Sequence, residues 1–243
     1  MPIVYAHRGA RGYAPENTMA AFKLADQMKV DGVELDVQLS KDGHAVICHD
    51  ETINRTSNGK GLIKDLTLSE LKQFDFGGWF DKKFTGEPIL TLEEFSAWFS
   101  GTAIELNVEI KNGPIYYHGL EEKIVRIIEK HKLQSRTIIS SFYHPSLLIV
   151  KKLNPQIRTG ALFCVRPLDP CRFAEETGAD YLHCNRENLD EAWVSEARKR
   201  GLGINVWTVN TQEEYAFLEP MGVRGIFSDF TDRFDGLKNQ PTS

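Results

Sequence analysis

Two short stretches of the sequence contain side chains that could do chemistry together. In residues 33–38, apolar and polar residues alternate, a pattern typical of a β-strand with Glu34 and Asp36 on one face. The dipeptide Asp42-Gly43 follows, which is a strong signal for a two-residue hairpin turn of type I′. A turn centred there pairs Asp36 with His49. The sequence thus predicts an imidazole beside two carboxylates, whereas a simple surface strand would present that face to solvent.

A third carboxylate lies in residues 106–111, where Glu109 and Lys111 share the polar face of another strand pattern. If this face joins that of Glu34 and Asp36, three carboxylates converge in a semi-buried site, which is unfavourable without a partner. A hard divalent cation with oxygen ligands would neutralise them and keep positions open for water and substrate. Lys111 could instead form a structural ion pair, and the spacing alone leaves both interpretations open.

Two histidines are brought towards these carboxylates by local signals. His7 ends the apolar run 3–7, which predicts a buried strand, and His49 ends the second hairpin arm. Two imidazoles near such a cluster can act as general base and general acid at neutral pH. Arg8 follows His7 and could hold a phosphate through its planar guanidinium, although a salt bridge to Glu16 explains it equally well.

Two further side chains lie on strand patterns later in the chain. Trp207 shares a strand face with Asn205 and could line a pocket, although packing in the core is the more common fate of tryptophan. His183 lies within a strand and could face the interior, but its position indicates no chemical role.

The elements that must position these residues alternate between strand and helix. Strands are predicted at 3–7, 33–38, 106–111, 137–141, 158–163, 180–184, 203–208 and 225–228, with 45–50 as an additional hairpin arm. Helices are predicted at 19–28, 67–74, 91–99, 118–132, 144–153, 168–177, 189–200 and 211–220. A glycine just after three of the helices, at Gly178, Gly201 and Gly222, is typical of a helix C-terminus.

Eight strand–helix units predict an α/β fold, a (β/α)₈ TIM barrel, formed by residues 1–243 as a single domain. Residues 51–90 are read as a small insertion after the second strand, because this segment is too short to build much core alone. A doubly wound sheet is the alternative. The barrel is favoured because the polar residues fall at the C-terminal ends of strands, where barrel active sites are built.

Composition excludes several classes of function. The net charge is −5, and no basic run interleaved with aromatic residues suggests a nucleic-acid surface. No apolar run is long enough to cross a bilayer and no signal peptide is visible, so we expect no stable membrane insertion. The four cysteines form no CxxC pair, and Cys48 and Cys184 lie in strand-like runs. A reducing, cytoplasmic setting is the simplest interpretation.

Taken together, the motifs resemble those of the glycerophosphodiester phosphodiesterases, and they occur in that family's order from residue 3 to about 232. The matching segments are His7-Arg8-Gly9, Pro15-Glu16-Asn17-Thr18, Glu34-Leu35-Asp36-Val37, Lys41-Asp42-Gly43, His49-Asp50, Asn54-Arg55-Thr56, Thr91-Leu92-Glu93-Glu94, Glu109-Ile110-Lys111, Ser141-Phe142 and Val206-Trp207-Thr208-Val209-Asn210. Each motif is weak alone, but the ordered set is specific. The family's fold is a TIM barrel with a small insertion after the second strand.

The resemblance implies a metal-dependent hydrolysis of glycerophosphodiesters to sn-glycerol 3-phosphate and an alcohol. Carried over to this sequence, Glu34, Asp36 and Glu109 would hold one divalent ion, Mg²⁺ or Ca²⁺. His7 and His49 would form the acid/base pair. The expected partner is thus a small-molecule glycerophosphodiester, and the oligomeric state is left open.

The same resemblance assigns the substrate contacts. Arg8 and Lys111 would surround the phosphate, Trp207 would contact the glycerol side, and the insertion at about 51–90 is associated with a preference for glycerophosphodiesters. Two alternatives remain: a phospholipase-type enzyme that acts on intact lipids, and a non-catalytic barrel that binds a phosphorylated ligand.

Three positions depart from the common family pattern, and none of them is a candidate catalytic residue. Leu90 and Thr231 each stand where a proline is usual, and Arg224 stands where an aspartate is frequent. The sequence therefore does not specify how Arg224 packs, or which salt bridge it forms, near the eighth strand.

Overall fold

Eight parallel strands form a closed barrel in residues 1–234, the part of the chain that the computed structural model describes. The strands, including two short antiparallel ones, are β1 (Ile3–Ala6), β2 (Gly32–Leu39), β3 (Ala45–Ile47), β4 (Leu90–Thr91), β5 (Glu105–Ile110), β6 (Thr137–Ser141), β7 (Arg158–Phe163), β8 (Tyr181–Asn185), β9 (Gly203–Trp207) and β10 (Gly225–Ser228). The barrel closes because β1 pairs in parallel with both β2 and β10. The predicted (β/α)₈ TIM barrel is confirmed.

Helices connect the barrel strands and cover their outer faces. They are α1 (Met19–Gln27), α2 (Leu68–Leu71), α3 (Leu92–Phe99), α4 (Leu120–Lys130), α5 (Pro145–Leu153), α6 (Pro170–Thr177), α7 (Glu191–Lys199) and α8 (Gln212–Leu218). A 3₁₀ turn at Thr231–Phe234 follows β10. None of the helices described for this chain has the length and apolar composition required to cross a bilayer.

The predicted starts of α1 and α3 and the predicted end of α6 lie within one residue of the observed ones, because local hydrogen bonds fix them, whereas α2 ends at Leu71 rather than at 74. At the start of α3, the Thr91 side chain accepts from the Glu94 amide, and Glu94 in turn accepts from the Thr91 amide. Thr18 caps α1 in a similar way, by accepting from Ala21. At the end of α6, Gly178 has a φ of +65°, which a residue with a Cβ rarely adopts.

The turn between β2 and β3 differs from the predicted type I′ turn. The loop contains three residues, Lys41 to Gly43, and is closed by a hydrogen bond from the Ser40 amide to the His44 carbonyl. Gly43 has a φ of +78°, whereas Asp42 is not left-handed. The Ser40 hydroxyl donates to the Asp42 carboxylate and accepts from the His44 amide, which favours the longer loop.

This change of turn shifts the register of the hairpin by one residue. Val37 is paired with Ile47, and the Cys48 amide donates to the Asp36 carbonyl at 3.0 Å. The predicted pairing of Asp36 with His49 is therefore wrong. His49 lies just beyond β3 and reaches the same end of the barrel through the loop that follows the strand.

The segment predicted as an insertion lies between β3 and β4, a two-residue strand that the sequence did not reveal. Because β4 pairs antiparallel with β3, the two ends of the segment are held side by side. The segment contains α2 and two 3₁₀ turns, at Ile63–Asp65 and Lys82–Phe84. It contributes to a small buried cluster under the hairpin, formed by Val46, Cys48, Ile53, Ile63, Leu71, Phe76 and Ile89.

The N-terminal end of the barrel is closed by polar side chains around Arg224. Its guanidinium donates to the Tyr5 hydroxyl at 2.6 Å and to Glu105 at 2.7 Å, and lies 4.5 Å from the centre of the Tyr181 ring. A Cβ on Gly32 would come within 2.6 Å of the Tyr5 ring, so a glycine leaves room for that ring inside the barrel. Arg224 thus belongs to packing at the end opposite the candidate site.

Candidate active site

Three carboxylates meet at the C-terminal end of the barrel because β2 and β5 are neighbouring strands. Glu34 and Asp36 lie two residues apart on β2, and Asp36 is directly paired with Glu109 on β5. One carboxylate oxygen from each of the three lies within 4.8 Å of the others. Glu34 and Asp36 are buried, and Glu109 is largely so. The predicted convergence of these side chains is therefore observed.

The proximity of three buried acids alters the pKa of each. Burial raises the pKa of Glu34 well above its ordinary value, and the charges of Asp36 and Glu109 raise it further. Burial also raises the pKa of Glu109, and Lys111 offsets only part of this effect. Burial acts on Asp36 too, but Lys111 and Arg8 outweigh it and lower the Asp36 pKa. The cluster is thus one in which added positive charge is stabilising.

The donor atoms fit a hard divalent cation. All three candidate ligands offer carboxylate oxygens, and Oδ1 of Asp36 is buried without a hydrogen-bond donor. Lys111 lies 2.7 Å from Glu109 and 3.6 Å from Asp36, so the ion pair considered as the alternative is also present. Arg8 and Lys111 bring two positive charges against three carboxylates, so the ion pair leaves a site at which a cation could bind.

His7 follows β1 directly, and its ring is oriented by an acid from the other end of the chain. Nδ1 of His7 lies 2.7 Å from Oδ1 of Asp229, the residue just after β10. Burial lowers the pKa of His7, and the hydrogen bond with Asp229 opposes this effect. Asn210 holds Asp229 by donating to Oδ2 and by accepting from its amide. The ring therefore presents Nε2 on the side away from Asp229.

His49 has an equivalent arrangement with the residue that follows it. Nδ1 of His49 lies 2.7 Å from Oδ1 of Asp50. The hydrogen bonds from Arg55 lower the pKa of Asp50 to about 2, and the one from His49 adds to this, although burial opposes them. Asp50 is therefore ionised at neutral pH and can stabilise a positive charge on the imidazole.

Arg8 forms an ion pair and also reaches the cavity. Its Nη1 donates to Glu16 at 2.8 Å, which is the predicted salt bridge, and its side chain also lines the cavity described below. Nε of Arg8 lies 3.5 Å from Asp36, and the backbone amide of Arg8 donates to Glu34 at 2.8 Å. The φ of Arg8 is +55°, in the left-handed region that few residues with a Cβ adopt. This backbone conformation turns both the amide and the guanidinium towards the carboxylates.

A cavity of about 290 Å³ opens above these residues at the C-terminal end of the barrel. Its lining comprises His7, Arg8, Arg11, Glu34, His49, Asn107, Glu109, Ser140, Phe142, Leu162, His183, Trp207, Thr208 and Phe227. The lining thus combines charged and polar side chains with the apolar side chains of Phe142, Leu162, Trp207 and Phe227. Phe142 contacts Trp207 edge-to-face, with ring centres 5.9 Å apart. Such a cavity suits a small molecule with one charged and one less polar end.

The family to which the chain belongs follows from its sequence across this site. A sequence profile of the glycerophosphoryl diester phosphodiesterase family matches residues 7–233, which include both histidines and all three carboxylates. The chain belongs to this family. The enzyme class implied by the resemblance, a phosphodiesterase that acts on glycerophosphodiesters, is confirmed.

Individual relatives agree with the profile over nearly the whole chain. A glycerophosphodiester phosphodiesterase of Caldanaerobacter subterraneus subsp. tengcongensis is 43% identical over 227 residues, covering 93% of this chain and 93% of that protein. A glycerophosphodiester phosphodiesterase of Bacillus subtilis is 35% identical, covering 97% of this chain and 86% of that protein.

Solved structures of family members superimpose closely. A phosphodiesterase of Oleispira antarctica, solved with the product sn-glycerol-3-phosphate, has a TM-score of 0.91 and 33% identity, covering 99% of this chain and 98% of that one. A glycerophosphodiester phosphodiesterase of Thermotoga maritima has a TM-score of 0.78 and 30% identity, covering 98% of each chain. The fold and the family assignment therefore agree.

The sequence analysis identified most of the site and missed some of its polar residues. All eight candidate residues lie at this end of the barrel; Asp36 and Lys111 are not in the cavity lining itself but contact residues that are. Asp229 and Arg11 were missed. Asp229 could have been found, since it directly follows the predicted strand 225–228, as His7 ends the predicted strand 3–7.

Proposed function

We propose that this family member hydrolyses glycerophosphodiesters to sn-glycerol 3-phosphate and an alcohol with the help of one divalent cation. The observation that carries the proposal is the cluster of Glu34, Asp36 and Glu109, of which Glu34 and Glu109 line the same cavity as two imidazoles. The complex of the Oleispira antarctica enzyme with sn-glycerol-3-phosphate supports the same substrate class for this chain.

In this proposal, Glu34, Asp36 and Glu109 hold Mg²⁺ or Ca²⁺, which would act as a Lewis acid towards a phosphoryl oxygen. Arg8 and Lys111 hold the phosphate by charge and hydrogen bonding. Both cations stay protonated at neutral pH, because the neighbouring carboxylates raise the pKa of Arg8 and of Lys111 despite burial.

The two histidines move the protons. Nδ1 of His7 and Nδ1 of His49 are each hydrogen-bonded to a carboxylate, so Nε2 of each ring is the atom available to the substrate. One ring accepts a proton from the nucleophile. The nucleophile is either water or the neighbouring glycerol hydroxyl; in the second case a cyclic phosphate forms, and water then opens it to give sn-glycerol 3-phosphate. The other ring donates a proton to the departing alcohol oxygen. Both rings line the same cavity, as this division of labour requires.

Trp207 is proposed to contact the glycerol moiety. It lies at the end of β9, lines the cavity and contacts Phe142. The indole face would pack against the carbon atoms of glycerol, while the phosphate is held among the charged groups.

Turnover of glycerophosphocholine with and without EDTA tests the requirement for a metal. We expect activity to be lost in EDTA and restored by Mg²⁺ or Ca²⁺. Full activity in the chelator would remove the cation from the mechanism. Vesicles of intact phospholipid serve as the second substrate in the same assay, and faster turnover of the vesicles would favour the phospholipase-type alternative.

Replacement of the histidines tests proton transfer. His49→Ala should lower kcat far more than it changes KM, because the ring acts on the reacting atoms rather than on ground-state binding. A change confined to KM would contradict the acid/base role and would leave a binding role for this residue.

Two broader predictions stay proposals. We propose that residues 1–243, of which 235–243 lie outside the described part of the chain, act as a single domain, and that the insertion belongs to it. The strand pairing of β4 with β3 supports this view. We also propose a cytoplasmic location, in line with the four free cysteines, of which Cys48, Cys171 and Cys184 are buried. Activity measured in cell fractions would test it.

A further inference from the structure

Arg55 of the insertion links two carboxylates that serve different parts of the site. Its guanidinium makes four hydrogen bonds: Nε and Nη2 donate to Asp50 at 2.8 and 3.0 Å, and Nη1 and Nη2 donate to Glu16 at 2.9 and 2.8 Å. A planar guanidinium that meets two carboxylates in this way fixes the orientation of both.

The first carboxylate, that of Asp50, orients His49. Oδ1 of Asp50 accepts from both His49 and Arg55, and Oδ2 accepts from Arg55. The Asp50 side chain is only partly buried, at 28% exposure, so the surrounding structure alone would allow its carboxylate to rotate. The two hydrogen bonds from Arg55 prevent the Asp50 carboxylate from rotating, and the fixed carboxylate in turn restricts rotation of the His49 ring.

The second carboxylate, that of Glu16, orients Arg8. The Glu16 side chain is 3% exposed and accepts from Arg8 at 2.8 Å as well as from Arg55. Burial would raise the pKa of Glu16, but the hydrogen bond from Arg55 and the charge of Arg8 lower it to about 2. Glu16 is thus a permanently charged anchor shared by an arginine of the cavity and an arginine of the insertion.

We propose that Arg55 is a positioning residue for catalysis, through which the insertion fixes the His49 ring and the Arg8 guanidinium in one arrangement. This inference rests on the proposed function, because it assumes the proton-transfer role of His49 and the phosphate contact of Arg8. Arg55 acts through Asp50 and Glu16 and does not touch the reacting atoms. The insertion therefore contributes to the chemical step, although none of its residues lines the cavity.

A purely structural role for Arg55, that of holding the insertion on the barrel, makes a different prediction. Lys72, on the same insertion, also forms a salt bridge to the barrel, with Nζ 2.8 Å from Glu94 at the start of α3. It has no contact with either histidine or with Arg8. Lys72→Gln therefore removes one attachment of the insertion without disturbing the alignment of His49, and is the matched control.

The test compares Arg55→Gln, Arg55→Lys and Lys72→Gln by steady-state kinetics, with melting temperatures to confirm folding. We expect Arg55→Gln to lower kcat about 10- to 100-fold with a much smaller change in KM, because a misaligned ring slows proton transfer. Arg55→Lys, which keeps the charge but can form only part of the contact, should fall between Arg55→Gln and the wild type. Lys72→Gln should keep the wild-type kcat.

A double-mutant cycle on kcat adds a second test, because a purely structural role of Arg55 predicts no coupling between Arg55 and Asp50 in kcat. Because both single variants disturb the contact that orients His49, the double variant Arg55→Gln/Asp50→Asn should lose less than the two single losses combined, and any loss beyond that of Asp50→Asn reflects the separate contact of Arg55 with Glu16. Additive losses would contradict the proposed connection. Equal losses of kcat in Arg55→Gln and Lys72→Gln, or a kcat of Arg55→Gln within about twofold of the wild type, would overturn the inference.

His49→Gln separates failure of this inference from failure of the proposed function. If His49→Gln keeps the wild-type kcat, the acid/base assignment itself is wrong. If His49→Gln is nearly inactive and Arg55→Gln is fully active, the proposed function stands and only the positioning role is lost. Should Arg55→Gln not fold, the comparison of Arg55→Lys with Lys72→Gln decides: a kcat of Arg55→Lys equal to that of Lys72→Gln overturns the inference.

Discussion

His7 and Asp229 are 222 residues apart in sequence, yet Nδ1 of the first lies 2.7 Å from Oδ1 of the second. The contact exists because β1 and β10 are the two strands that close the barrel, so the residues that follow them are neighbours in space. The His7 amide also donates to the carbonyl of Ser228. Closure of the fold therefore orients one of the two proposed catalytic rings.

Asp229→Asn should alter both the rate and its pH dependence. Asp229 raises the pKa of His7 against the effect of burial, so its removal lowers that pKa further. If His7 reacts in the neutral form, the acid limb of kcat/KM moves to lower pH, while the plateau falls by about 10²- to 10⁴-fold because the ring loses its orientation. The pH profile of kcat/KM measures both effects.

Asp232→Asn is the control for this variant. Asp232 lies three residues further on and accepts a hydrogen bond from Tyr13 rather than from a histidine. It should leave both the plateau and the acid limb unchanged. An Asp229→Asn enzyme with the wild-type profile would show that His7 needs no orienting carboxylate.

The comparison of His7 with Asp229 also indicates what could be predicted from sequence. His7 was recognised because a local apolar run ends at that residue, and Glu34, Asp36 and Glu109 because alternation gives strand faces. The end of a predicted strand places Asp229 near the site, but its contact with His7, like the contacts of Arg55, joins distant segments and is specified by no local pattern. The strands at 137–141, 158–163 and 225–228 were predicted to the residue, since apolar runs bounded by turns mark both ends.

The errors have physical causes that a local pattern does not contain. The hairpin turn depended on the side chain of Ser40, which stabilises a three-residue loop and shifts the register by one. Strand β4 contains two residues, too few for any alternation, and exists because β3 offers it a free edge. The resemblance to the family supplied the ordered motifs, but the position of Arg55 between Asp50 and Glu16 required coordinates.

Lys111→Met should separate metal binding from phosphate binding. Nζ of Lys111 lies 2.7 Å from Glu109 and 3.6 Å from Asp36, so it repels a cation held by these carboxylates. Without Lys111 we expect Mg²⁺ or Ca²⁺ to bind about tenfold more tightly, while kcat/KM falls because the phosphate loses a positive contact. Calorimetric metal titration and steady-state kinetics measure the two quantities.

Lys64→Met provides the comparison, because Lys64 pairs with Asp65 at the surface of the insertion. This substitution should change neither metal affinity nor kcat/KM. Weaker metal binding in Lys111→Met together with an unchanged kcat/KM would show that Lys111 only holds the carboxylates in place.

His183 should make the stability of the enzyme depend on pH. The ring is fully buried inside the barrel, where Nε2 accepts from Asn205, and burial lowers its pKa from 6.5 to about 3. The unfolded chain therefore binds a proton below pH 6.5 that the folded chain excludes down to about pH 3. The free energy of unfolding is therefore not reduced by this group above pH 6.5, and it decreases as the pH falls from 6.5 towards about 3.

The free energy of unfolding in urea, measured from about pH 7 to about pH 5, tests this linkage. His183 should contribute up to about 1.4 kcal/mol per pH unit below its unfolded pKa. His183→Gln should remove that part of the slope, whereas replacement of the exposed His118 by Gln should not. Equal slopes in the wild type and in His183→Gln would show that the ring takes up its proton in the folded state.

Arg224→Asp should destabilise the fold without changing the chemistry. Arg224 donates to Tyr5 and Glu105 at the N-terminal end of the barrel, and an aspartate there would place a second carboxylate beside Glu105. We expect the free energy of unfolding to fall by about 2–4 kcal/mol, because one partner of a partly buried ion pair is lost and repulsion is added. The melting temperature should fall by several degrees.

Arg224→Met distinguishes the two causes, because it removes the hydrogen bonds without adding a negative charge. It should be less destabilised than Arg224→Asp, and kcat at 25 °C should stay at the wild-type value in both variants. The reason is that catalytic groups in such barrels lie at the opposite, C-terminal end of the strands. A kcat that falls while the melting temperature is unchanged would place Arg224 in the catalytic machinery and would contradict this division of the barrel.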